Sequence, residues 1–183
     1  MDEAVTGKED FVLGFIDEAS PQNCNSVRLW GFRKPRIRKN TSKIRANTMG
    51  FYTFNGQSVV EFTEDSKQET FACFLYEVRK NNLCDHLIII LDNFSTHKSM
   101  LVRATARMLG ITLVYLPPYS PDLNPIEEIW KSIRRRLSTA FYLTKQELQT
   151  LIQEAYYDLI QLYDYANQWI TNNTPNQFKT LFQ

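Results

Sequence analysis

Two apolar runs that each stop on an aspartate set the strongest limit on how this chain folds. Residues 11–16 (FVLGFI) end at Asp17, and residues 87–91 (LIIIL) end at Asp92. The first run reads as a buried strand. The second is too short for a helix, and its β-branched content predicts a central strand covered on both faces. Adjacent strands that finish at one edge of a sheet aim their last side chains into one space. Two carboxylates placed there repel each other, so such a pair implies a cation. An all-oxygen site of this kind suits Mg²⁺, which binds one or two protein carboxylates and completes its shell with waters or phosphates.

The remaining pattern places these strands in a sheet. Residues 27–32 read as a short strand. Residues 49–54 (MGFYTF) and 57–62 (QSVVEF) flank Asn55-Gly56, a two-residue hairpin signal. Phe71, Phe74, Leu75 and Val78 repeat at helical spacing within 66–81. A helix over 98–109 stops at Gly110, and 111–116 (ITLVYL) is the next strand. After the rigid loop 117–124 (PPYSPDLN), Asn124 as N-cap, Pro125 and Glu127 mark the start of a helix reaching Leu137. Thr144 and Glu147 form a second capping box that opens a helix to about residue 170. The expected architecture is α/β: a mixed five-stranded sheet, antiparallel meander first and parallel strands after, flanked by helices. The expected organisation is one domain over 1–183, with the helix and tail of 144–183 packed on it through Phe178 and Leu181.

Composition narrows the class. The chain has 183 residues, 43% hydrophobic and 22% charged, with a net charge of +1. That describes a soluble globular protein whose average charge does not announce nucleic acid. Cys24, Cys73 and Cys84 form no CxxC pair, as expected of reduced thiols in the cytoplasm. The acidic, polar first residues do not form a signal peptide. No apolar run approaches the roughly 20 residues of a membrane span.

Glu127 is the candidate third carboxylate, sitting in the first turn of the helix that SPDLNP fixes. Lys131 and Arg134 fall on its side of that helix, while Ile126, Ile129, Trp130, Ile133 and Leu137 form the buried side. Glu128 and Glu18 are adjacent rivals, and Glu127 also reads as a plain capping residue. Asn93 and His97, which closely follow Asp92, are candidate polar supports of the site rather than metal ligands, and His97 reads equally as a surface histidine.

These residues carry a resemblance. FIDEAS, IIILDNFSTHKS and LPPYSPDLNPIEEIWKSIRRRL resemble the catalytic domain of Tc/mariner-like DDE transposases, in their bacterial and archaeal insertion-sequence branch, over about residues 11–137. In the glutamate version of that family thirty-four residues separate the second and third acids. Here residues 93–126 lie between Asp92 and Glu127, and that spacing selects Glu127. The resemblance implies a ribonuclease H-like fold. It implies two Mg²⁺ ions, replaceable by Mn²⁺, held by Asp17, Asp92 and Glu127. It further implies hydrolysis of DNA at transposon ends and strand transfer into target DNA by in-line displacement. The family's N-terminal helix-turn-helix region is absent from this sequence. A separately encoded or frameshift-joined DNA-binding part is therefore expected, with a homodimer on DNA in the cytoplasm, at the nucleoid, and no membrane role. The alternatives are a non-enzymatic DNA-binding or dimerising remnant that regulates transposition, and a ribonuclease H-like nuclease without strand transfer.

Two basic segments suit the same partner. Arg33, Lys34, Arg36, Arg38, Lys39, Lys43 and Arg45 form a run without acids. Lys131, Arg134, Arg135 and Arg136 follow Glu127 on its helix. Such clusters neutralise DNA phosphates and make affinity salt-dependent. Trp30 and Tyr119 are aromatic residues that suit either stacking on bases or packing in the core.

Overall fold

The computed structural model describes residues 10–22 and 43–173. Five strands form one sheet: β1 (Phe11–Ala19), β2 (Asn47–Thr53), β3 (Val59–Thr63), β4 (His86–Leu91) and β5 (Ile111–Tyr115). Their spatial order is β3-β2-β1-β4-β5. β1 lies in the middle, antiparallel to β2 and parallel to β4, and β4 is parallel to β5. Helices α1 (Gln68–Asn81) and α2 (Met100–Met108) cover one face. Helices α3 (Ile126–Leu137), α4 (Lys145–Leu162) and α5 (Tyr165–Asn173) cover the other. This is the mixed, doubly covered sheet that the apolar runs predict.

Alternation along β1 divides its side chains between the two layers. Val12 and Ile16 pack with Phe71, Phe74 and Leu75 of α1, whereas Leu13 and Phe15 pack with Ile129, Trp130 and Ile133 of α3. Phe15 and Ile16 are both fully buried, which is why 11–16 carries no polar alternation. Among the described residues, no helix is long and apolar enough to cross a membrane.

Three local expectations are corrected. The connection between β2 and β3 is longer than a two-residue turn and runs through residues 54–58. Asn55 does not take the positive φ of a type I′ turn; its amide instead donates to the Phe11 carbonyl at 2.8 Å and accepts from Leu13 N–H at 3.1 Å. Those bonds to β1 outcompete the local turn geometry. The single helix expected from Thr144 to about residue 170 is two helices, broken at Tyr163 and Asp164. Asp164 Oδ1 accepts from the N–H groups of Ala166 and Asn167 and so starts α5 afresh. Asn124, expected to cap α3, does not cap it with its side chain. The Thr144 cap is made, accepting from Glu147 N–H at 3.1 Å. The strand expected at 27–32, the cations Arg33, Lys34, Arg36, Arg38 and Lys39, and the tail residues Phe178 and Leu181 lie outside the described residues.

Candidate active site

Asp17 lies near the end of β1 and, by the same alternation as Leu13 and Phe15, faces the α3 layer. Asp92 is the first residue beyond β4. The parallel register pairs Phe15 with Ile90, and two residues further it sets Asp17 beside Asp92. Glu127 comes from the other side, in the first turn of α3. All three line one cleft of about 500 Å³.

The loop before α3 is held against β1. Asn124 Nδ2 donates 3.2 Å to the carbonyl of Ile16, the residue immediately before Asp17. Its amide thus fixes where α3 begins relative to the sheet. Trp169 Nε1 donates to the Leu123 carbonyl at 2.6 Å and secures the same loop from α5. Trp130, fully buried, then seats α3 on the sheet at Gly50, the residue that pairs with Asp17 across β1 and β2. A Cβ at Gly50 would meet the Trp130 ring at 2.7 Å. Gly50→Ala is therefore expected to destabilise the protein by about 1–3 kcal/mol. Urea denaturation checks this; an unchanged midpoint would mean that the indole yields without cost.

His97 holds Asp92. It sits in a 3-10 turn (Thr96–Lys98), is buried, and stacks on Phe71 with ring centroids 4.2 Å apart. Its Nδ1 is 2.7 Å from Asp92 Oδ1 and its Nε2 is 3.4 Å from Glu18 Oε1. Burial disfavours a charged ring, but the hydrogen bonds to Asp92 and Glu18 outweigh it and push its pKa up to about 9. The imidazolium donates to both carboxylates. In return its hydrogen bond holds Asp92 below the usual carboxylate range. Phe94 N–H adds a second bond to Asp92 Oδ1, at 3.1 Å.

Asp17 is perturbed the other way. Burial pushes its pKa up to about 7, and the charges of Glu127 and Asp92 add to the rise, against the Glu18 backbone N–H. Glu127 has Arg134 Nη2 at 3.9 Å from its Oε2. The rival acids go elsewhere. Glu18 lies on the α1 face of the sheet and meets His97, and Glu128 is exposed and pairs with Lys131.

The lining fits a hydrated divalent cation. It offers three carboxylates together with two buried amide oxygens, Asn93 Oδ1 and Asn124 Oδ1, that have no hydrogen-bond partner. Among the described residues, no three acidic, histidine or cysteine side chains are already gathered closely enough to chelate an ion by themselves. Mg²⁺ does not require that, since it keeps several waters and takes phosphate oxygens.

Other predicted residues lie apart from the cleft. Lys131 and Arg135 are exposed on α3, and Arg136 is paired with Asp158 of α4 at 3.0 Å. Lys43 and Arg45 are exposed, and Arg45 bridges Gln22. Sequence reasoning missed Lys98 and Phe94, which line the cleft beside Asp92. The only available signal was that both flank His97 in DNFSTHK.

A family model described as DDE superfamily endonuclease matches residues 13–149. The Tc1 transposase of Caenorhabditis elegans is 44% identical over 46 residues, which are 25% of this chain and 17% of that protein. The uncharacterized protein y4pE/y4sA of Sinorhizobium fredii (strain NBRC 101917 / NGR234) is 39% identical over 49 residues, 27% of this chain and 34% of that protein. The chain thus spans about a third or less of these curated relatives. Among solved structures, the catalytic domain of Mos1 mariner transposase superposes with a TM-score of 0.60 at 16% identity, covering 86% of this chain and 78% of that one. A Mos1 mariner paired end complex with Mn gives 0.65 at 16% identity, covering 86% and 53%. The ribonuclease H-like fold is shared.

Proposed function

The chain belongs to the DDE superfamily endonucleases, and from that membership we propose that it is the catalytic domain of a Tc/mariner-like DNA transposase, with Asp17, Asp92 and Glu127 as its acidic triad. The observation that carries this reading is the convergence of those three carboxylates in one cleft, with Asp17 driven up to about pKa 7 by burial beside the other two. A carboxylate in that position is poised for a cation.

Two Mg²⁺ ions, or Mn²⁺ in their place, would be held by Asp17, Asp92 and Glu127, and would supply Lewis acidity at the phosphorus and charge neutralisation at the leaving oxygen. The protein's own contribution is positional. His97 orients Asp92, and Arg134 steadies Glu127. Asn124 fixes the start of α3 against β1. Asn93 and Asn124 offer carbonyl oxygens to bound water. DNA, both transposon end and target, is the proposed substrate, cut by hydrolysis and then joined through its 3′-hydroxyl. Pairing of two ends calls for two copies of the chain on DNA, acting at the nucleoid.

Calorimetric titration of Mn²⁺ into the chain, beside Asp17→Ala and Asp92→Ala, tests the site. Binding lost in both variants supports one shared centre. If the wild type binds no ion, even with DNA present, the reading fails. Joining of DNA ends, assayed separately, distinguishes a transposase from a nuclease that only cuts.

The exposed cations of α3 are expected to meet DNA phosphates. Replacing Lys131 and Arg135 together by Ala should weaken DNA binding and flatten the slope of log affinity against log salt by about two. Arg134 is spared in that variant because it contacts Glu127. An unaltered salt slope would assign these cations to ordinary surface.

A further inference from the structure

Among the described residues, Tyr119 combines full exposure with a left-handed backbone. Its side chain is fully exposed, at 102% of reference, although it sits among Pro117, Pro118 and Pro121. Its φ is +58°, and it is the only non-glycine residue in that region among the described residues. Large side chains rarely adopt that conformation, and a fold that imposes it spends stability on placing the residue. The ring contributes no packing in return. It lines the mouth of the same cleft as Asp17, Asp92 and Glu127.

The surroundings indicate what the ring meets. Phe94, half exposed, and Lys98, exposed, line the cleft as well, and Lys98 Nζ lies 5.6 Å from the centre of the Tyr115 ring. Among the described residues, Lys98 is the only cation in that lining. An exposed aromatic face beside one cation and an acidic floor matches a nucleotide, with the phosphate near the cation and the base against the ring. Within a duplex both faces of a base are already covered by its neighbours, so only an unpaired base can present a face to the tyrosine.

We propose that Tyr119 is a positioning residue that stacks on an unpaired base next to the phosphate entering the cleft, so that this chain engages DNA that is locally single-stranded. This rests on the reading of the cleft as the site of DNA cleavage. The left-handed backbone turns the ring outward on a proline-stiffened loop, so its position is set before DNA arrives and little entropy is lost on contact.

The test is fluorescence anisotropy in Ca²⁺, which keeps binding separate from cleavage. A duplex carrying one unpaired nucleotide is compared with the same duplex made abasic at that nucleotide. The wild-type chain is expected to prefer the intact base by about tenfold. Tyr119→Ala should lose that preference by weakening binding of the intact DNA alone, and Tyr119→Phe should keep it. Tyr119→Gly, which relieves the backbone strain, should lose it just as Ala does, because the ring is the active part. The proposal is overturned if Tyr119→Ala binds both DNAs like the wild type, or weakens both equally. In either case metal-dependent cleavage by the wild-type chain would still uphold the reading of the site. Conversely, a base-dependent effect of Tyr119 in a chain that never cleaves would keep the stacking and remove the chemistry.

Discussion

Asp92→Ala is expected to abolish the proposed metal-dependent DNA cleavage, lowering the rate by about 10³-fold or more. Loss of a metal-holding carboxylate removes several kcal/mol of transition-state stabilisation, at about 1.36 kcal/mol for each tenfold. The variant is expected to fold, because the substitution relieves repulsion with Asp17. It also takes from buried His97 its nearer acceptor, at 2.7 Å. Asp92→Asn is therefore the companion variant. It keeps an oxygen for His97, removes the negative charge, and should be equally inactive. Single-turnover cleavage of labelled DNA in Mn²⁺ measures both. Activity near wild type in either one would exclude Asp92 from the centre.

Asp17→Asn is expected to stabilise the metal-free protein at pH 8, by on the order of 4 kcal/mol, and to have little effect near pH 4. The folded-state pKa of Asp17 is raised to about 7 from 3.8, so between those values the folded chain holds a proton that the unfolded chain releases. The contribution of Asp17 to folding stability therefore falls as pH rises from about 4 to about 7, and the full penalty remains above 7. The magnitude follows from the rise from 3.8 to about 7, since holding a carboxyl protonated against each further tenfold drop in proton concentration corresponds to about 1.36 kcal/mol. Asparagine carries no charge and escapes the penalty. Urea denaturation in a chelator at pH 5 and pH 8 measures the growing gap between the two proteins. Adding Mn²⁺ at pH 8 should narrow or reverse it, since only the wild type has the carboxylate to gain from binding. Equal stabilities at pH 8 without metal would show that Asp17 is well solvated and carries no such penalty.

The sheet and the carboxylates were legible because each is written in contiguous residues. FVLGFID and LIIILD announce strands covered on both faces, since no polar residue interrupts them before the aspartate. The helix carrying Glu127 follows from the proline at its start and from the spacing of Ile126, Ile129, Trp130 and Ile133. Once two strands run parallel in register, the placing of Asp17 beside Asp92 follows from backbone geometry.

What the sequence left open depends on which of several partners a side chain finds. Asn55 reads as a turn residue, and Asn124 as a cap. Both amides instead bond to the backbone of β1, at Phe11, Leu13 and Ile16, a strand far away in the chain. Glu18 and Asp17 differ by one position, yet alternation sends one to His97 and the other into the cleft. Lys98 and Phe94 reach the cleft only because a tight turn follows β4. Sequence by itself thus determined the periodicity, the strand ends and the charges at those ends, because each is a property of neighbouring residues. Tertiary structure alone decided which polar groups pair across long separations and how far burial shifts a carboxylate. Both depend on the distances and dielectric that the packed layers create.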